Sequence, residues 1–157
     1  MKLPLGPLEC DAKPDPRRFE GQICLKTGTQ IGYWEAYLCE FPEDLGEHLN
    51  LDVHGLAGTI PLPGPRWPIA YLKIICVGEA IRDRGYGSDG LQRFQLEAER
   101  KGAVLAFARI GWCPDSPREK NIYFYQRAGW SLHSEVGEDG RPKDVTFGYL
   151  ELRKSHP

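Results

Sequence analysis

IAYLKIICVGEAIRDRGYGSDGLQRFQLEAERKGAVLAFARI, residues 69–110, decides the fold. Its first nine residues, Ile69 to Val77, are apolar at nearly every position and rich in β-branched side chains, the pattern of a strand covered on both faces. Gly85, Gly87 and Gly90 follow, and then Leu91, Phe94 and Ala98 recur at i, i+3 and i+7. With Asp89 in the first turn, Arg100 and Lys101 in the last and Gly102 as stop, the spacing predicts a helix to about Lys101. Ala103 to Ile110 is a second apolar run, short enough for a strand. Two buried strands joined through a helix must run parallel, so 69–110 reads as a β-loop-α-β unit.

Upstream, Gln22–Lys26 reads as a short strand and Ile31–Leu38 is rich in aromatic and β-branched residues, and the turn sequence Thr27-Gly28-Thr29-Gln30 between them predicts a β-hairpin. Residues 1–17 hold four prolines and no periodicity, and are expected to form an irregular arm. Residues 41–68 are acidic and then proline-rich (Pro61, Pro63, Pro65, Pro68), and are expected to form a loop. Downstream, Pro114–Lys120 should be a loop leading to a short helix, Asn121–Ala128, closed by Gly129. Strands are expected around Ser131–Val136 and Val145–Leu152, joined by a turn at Glu138-Asp139-Gly140.

At 157 residues the chain matches one domain spanning 1–157, large enough to bury a core without a metal or a disulfide. The net charge of −2 argues against a nucleic-acid coat protein. No apolar run approaches a membrane span, and the start MKLPLGPLEC lacks a secretory pattern, so a cytoplasmic location is expected. Cys10, Cys24, Cys39, Cys76 and Cys113 form no C-x-x-C pair, which argues against a zinc site or disulfide framework. No metal is expected.

Gly85-x-Gly87-x-x-Gly90 satisfies a dinucleotide-binding pattern, but its setting does not. Seven residues separate the strand from Gly85, and the second strand ends without a carboxylate. Two other readings of the glycines stand. They serve a tight β-to-α turn, or they let backbone N–H groups at a helix N-terminus converge on an anion, helped by Arg82 and Arg84. The second reading suits a pyrophosphate-bearing ligand.

Arg82-x-x-Gly85-x-Gly87 at a strand-to-helix junction resembles the acyl-CoA signature of the GNAT N-acetyltransferases. Phe124-Tyr125-Gln126-Arg127-Ala128-Gly129-Trp130 resembles that superfamily's second marker, and the resemblance covers 69–152. It implies an α+β fold: a mixed, strongly twisted sheet with splayed parallel central strands, here 69–77 and 103–110, flanked by helices. It also implies acetyl-CoA as co-substrate. Ile75, Cys76 and Val77 would bind the pantetheine arm and thioester carbonyl through their backbone. Arg82, Asp83, Arg84, Gly85, Tyr86, Gly87 and Ser88 would hold the pyrophosphate. Tyr125 would sit near the sulfur as proton donor to the departing thiolate, although a tyrosine here could instead simply pack on the sheet. An Asn common in the family is replaced by Arg118, and Asn121 is the nearest candidate to take its place against the cofactor. The two helices that usually follow the family's first strand have no visible counterpart.

Amide formation also needs a base for the amine. Glu79, just past the first buried strand, is the first candidate, Glu35 the second and His54 the third. No nucleophile-base pair stands out, which favours direct attack over a covalent intermediate. The acceptor is expected to be a primary amine of a small molecule or a peptide. Residues 71–130 carry ten bases against seven acids, while 19–68 carry seven acids against two bases, so a cationic acceptor is expected from charge alone. A CoA-binding module without turnover and an acetyltransferase acting on a protein or tRNA are the alternatives. A homodimer stays open.

Overall fold

The computed structural model describes residues 15–50, 67–78, 85–110, 118–136 and 142–152. Most of the N-terminal arm, the proline run 57–66 and the turn 138–140 lie outside the described residues. The elements in order are β1 (Arg18–Cys24), β2 (Gln30–Cys39), α1 (Pro42–Leu49), β3 (Ile69–Val77), α2 (Tyr86–Arg100), β4 (Leu105–Ile110), α3 (Arg118–Arg127), β5 (Ser131–Val136) and β6 (Pro142–Glu151). The strands form one sheet in the order β1-β2-β3-β4-β6-β5. Every neighbouring pair is antiparallel except β3 and β4, the parallel pair expected from 69–110. The hairpin also forms as expected, with Gly28 at φ +93° in its turn.

Each face of the sheet carries its own apolar layer. On one, α2 lays its Leu91, Phe94 and Ala98 stripe against β1, β2 and β3. Phe19, Trp34 and Phe94 meet there with ring centroids 5.7–6.1 Å apart, contacts that contribute about 0.5–1.5 kcal/mol each beyond their buried area. On the other face, Leu45 and Leu49 of α1 pack with Cys39, Ile69, Tyr71, Leu105, Phe107 and Phe147.

Two expectations need correction. The segment 41–68 is not loop throughout, because Pro42–Leu49 is helical. Pro42 opens this helix, where a missing N–H costs nothing. The Asp44 carboxylate accepts the backbone N–H groups of Glu40 and Phe41 at 3.2 Å each, and Asn50 ends the helix at φ +56°. The acidic run that reads as a solvated loop is the outer surface of two helical turns, and Leu45 and Leu49, four apart, are their buried side. The second correction is at α3, which begins at Arg118, within the span 114–120 assigned to a loop. That first turn is polar, so no apolar stripe marks it.

Candidate active site

The parallel ladder between β3 and β4 runs only from Ile69↔Leu105 to Leu72↔Ala108. Both strands continue, but with other partners. β3 stays with β2 as far as Val77↔Gly32, and β4 stays with β6 through Arg109↔Phe147 and Ile110↔Thr146. The sheet therefore opens into a V beyond Leu72 and Ala108. A β-bulge sits at its base, since Ala36 faces Leu72 and Glu35 faces Ile74, which leaves Lys73 as the extra residue. A bulge bends its strand and increases the local twist, and this one lies at the position where β3 and β4 cease to pair.

The direction of the backbone groups along β3 follows from one hydrogen bond. Gly78 N–H donates to the Ile31 carbonyl of β2 at 2.8 Å. Because a strand residue points both its groups to one side and alternates with its neighbour, Cys76 turns towards β2 while Ile75 and Val77 turn towards the V. The Cys76 carbonyl indeed lies against Gly32, where no side chain would fit. Of the three residues singled out on this strand, two present backbone to the opening and Cys76 leaves only its exposed thiol near it.

The N-terminus of α2 stands beside the V. Gly85 precedes the helix at φ +87°, a left-handed conformation that favours glycine. Tyr86, Gly87 and Ser88 occupy the first turn, whose N–H groups have no partner within the helix. A β-carbon on Gly87 would stand 3.2 Å from Phe124 Cε1 and 3.8 Å from Val77 Cγ2. Gly87 thus marks where β3, α2 and α3 converge. Gly90 serves packing, since a β-carbon there would come within 2.5 Å of Ile23 Cδ1. Glu79, Arg82, Asp83, Arg84 and His54 lie outside the described residues.

From α3, Tyr125 is buried, its ring edge-on to Trp130 at 5.0 Å and to Phe124 at 5.2 Å. Burial, with the Tyr71 phenol as a lesser cause, holds its hydroxyl protonated far above the usual tyrosine range. Such a phenol donates a hydrogen bond at every physiological pH. Asn121, half-buried, lies one helical turn before Tyr125 on the same side of α3.

On the α1 face of the V base, Glu35 accepts hydrogen bonds from Arg18 Nη2 at 2.9 Å and Tyr37 Oη at 3.0 Å, with Lys73 Nζ at 4.0 Å. Partial burial would raise its pKa, but these donors outweigh it and hold the carboxyl below its ordinary value. That makes Glu35 a weak proton acceptor. His48 of α1, which its sequence context did not mark, tilts over Tyr37 at 4.2 Å and Tyr71 at 5.3 Å. Burial and then the Lys73 charge lower its pKa, so the imidazole is neutral at pH 7. Asp44 is engaged by Arg17. Two of the acids of 19–68 are therefore neutralised where the structure places them. Among the described helices none is long and apolar enough to cross a membrane.

A six-stranded mixed sheet that opens between its two parallel strands, with a glycine-bearing helix N-terminus at the opening, defines the class: the chain has the fold of the GNAT acetyltransferases. The solved structures it resembles include a GNAT-family acetyltransferase from Staphylococcus aureus Mu50, at 13% identity and TM-score 0.54 over 87% of this chain and 68% of that one. The ribosomal-protein-S18-alanine N-acetyltransferase of Escherichia coli matches at 14% identity and TM-score 0.55, over 91% and 74%. An aminoglycoside 6'-N-acetyltransferase complexed with coenzyme A matches at 12% and 0.57, over 91% and 77%. No family model and no curated protein matches the sequence.

Proposed function

We propose that the chain is an acyl-CoA-dependent N-acetyltransferase that passes an acetyl group from acetyl-CoA to a primary amine by direct attack. The observation that carries this reading is the opening of the β3–β4 ladder beyond Leu72 and Ala108. It turns the backbone of Ile75 and Val77 towards the opening, with the first turn of α2 at its side. The resemblance of residues 82–87 and 124–130 to the superfamily's markers supports the same assignment.

In this reading the first turn of α2, with Arg82 and Arg84, holds the pyrophosphate through N–H groups and positive charge. The amine nitrogen attacks the thioester carbonyl carbon, and a backbone N–H of the Ile75–Val77 stretch stabilises the oxyanion. As the C–S bond breaks, Tyr125 donates to the sulfur. Its raised pKa keeps the phenol protonated, so it acts as a hydrogen-bond donor to the thiolate ahead of full proton transfer. The ammonium proton leaves through Glu79 or a water next to it. Asn121, one helical turn before Tyr125 on α3, is assigned in this reading to the pantetheine in place of the Asn that Arg118 replaces.

Structures with this fold include enzymes named for an aminoglycoside and for a ribosomal protein, so the fold accommodates both small and macromolecular acceptors. Native mass spectrometry with acetyl-CoA, followed by thiol release with a panel of amines, tests the proposal. A bound acetyl-CoA and amine-dependent thiol release are expected. Binding with no release for any small amine, peptide or charged tRNA would point instead to a CoA-binding module.

A further inference from the structure

The V has a cation on each arm at the first position past its base. Lys73 follows Leu72, the last β3 residue paired to β4, and Arg109 follows Ala108, the last β4 residue paired to β3. Both side chains lie on the α1 face of the sheet. Lys73 Nζ stands over the Tyr37 ring at 5.7 Å, and the Arg109 guanidinium stands over Phe147 at 5.7 Å while Nη2 donates to the Leu49 carbonyl at 2.8 Å. Tyr71, paired across the ladder with Phe107, lies on the same face just before the base.

The opposite face belongs to α2, whose first turn is the proposed pyrophosphate site, and to Tyr125. Among the described elements, the α1 face, where Lys73 and Arg109 lie, is the side left for an acceptor to approach the thioester. The one described carboxylate at that base, Glu35, is shared among Arg18, Tyr37 and Lys73. Arg109 has no carboxylate partner among the described residues, and one carbonyl uses only a fraction of its five N–H donors.

Resting on the acetyltransferase reading, we infer that the acceptor is an amine bearing a carboxylate or phosphate a few bonds from its nitrogen, held by Lys73 and Arg109 at the base of the V. The chain-wide charge pattern, which favours a cationic acceptor, is set aside by this local arrangement. Two cations beside the amine also disfavour its ammonium form, which helps deliver the neutral nucleophile.

The test compares matched acceptors by thiol release from acetyl-CoA: an amino acid against its amide, phosphoethanolamine against ethanolamine, and spermidine. The anion-bearing member of at least one pair should show kcat/KM at least about tenfold higher, expressed mainly in KM. The amino-acid and phosphoethanolamine pairs tell carboxylate from phosphate. Lys73→Met should shrink that preference several-fold while acetyl-CoA affinity is unchanged. Since Lys73 is exposed, its loss leaves the core intact, and Arg109→Gln serves as a second variant. Turnover with no preference for the anion, or a preference for spermidine, would overturn this inference and leave the acetyltransferase reading standing. Failure to bind acetyl-CoA would remove both.

Discussion

Gly87 and Phe124 touch across the mouth of the V, so closely that a β-carbon on Gly87 would stand 3.2 Å from the ring. One belongs to α2 and the other to α3, and Val77 of β3 lies 3.8 Å from the same point. Gly87→Ala must push the ring outward by a few tenths of an ångström and place a methyl group in the first turn proposed to hold the phosphates. Acetyl-CoA affinity measured by calorimetry should fall about tenfold or more. Stability should change little, because alanine's preference of about 1 kcal/mol for helix offsets the contact. Unchanged affinity would show that the first turn of α2 does not hold the cofactor.

Tyr125→Phe keeps the edge-on contacts with Phe124 and Trp130 and removes only the hydroxyl. Turnover should drop by about one to two orders of magnitude, with acetyl-CoA affinity nearly intact. Because the phenol stays protonated well above the ordinary tyrosine range, the wild-type rate profile should show no alkaline fall near pH 10. Equal turnover by the variant would reduce Tyr125 to a packing residue.

Gly90 lets α2 lie close on β1. A β-carbon there would come within 2.5 Å of Ile23 Cδ1 and 2.9 Å of its Cγ1, so Gly90→Ala should destabilise by about 1–3 kcal/mol through overpacking. Ile23→Ala makes room for the methyl group. Urea unfolding of the two single variants and the double variant should give a favourable coupling energy, whereas simple additivity would mean that the two sites do not touch.

Cys39, buried where β2 meets α1, has its thiol pushed up to about 12 by burial and the nearby Asp44 charge. Below pH 9 both folded and unfolded chains hold this proton, and its contribution to stability is constant. From pH 9 towards 12 the folded chain retains the proton while the unfolded chain loses it, so stability declines as pH rises. Urea unfolding of reduced protein between pH 8 and 11 should show a steeper decline for wild type than for Cys39→Ala. Parallel slopes would contradict the burial of this thiol.

The parallel pair and α2 were legible because their patterns are strong: a run apolar at all but one position of Ile69–Val77, and a stripe at Leu91, Phe94 and Ala98. Helix α1 was not, because proline and five acids in 40–52 mask two apolar positions, Leu45 and Leu49. Only a partner sheet face makes that pair informative. The first turn of α3 is illegible for a related reason, since Arg118-Glu119-Lys120 offers no apolar residue to a periodic pattern.

Within the candidate site, the glycines stood out by spacing and Tyr125 through the resemblance of residues 124–130 to a family marker. The residues at the base of the V did not. Nothing in IAYLKIICV marks Lys73 as a bulge, because a bulge is a mismatch between two strands and is defined only when β2 is laid against β3. His48 likewise has no signal in its own neighbourhood; its surroundings are Tyr37 and Tyr71, 11 and 23 residues away along the chain.

The sequence by itself determined the order of strands and helices from 69 onward, the parallel pairing that a helical crossover imposes, and the glycines at the start of α2. These follow from periodicity and local backbone preference, which act over a few residues. Tertiary structure alone decided where β3 and β4 part, which backbone groups turn to the opening, and that Lys73 and Arg109 flank it from separate strands. Those outcomes depend on register and burial between segments far apart in the chain.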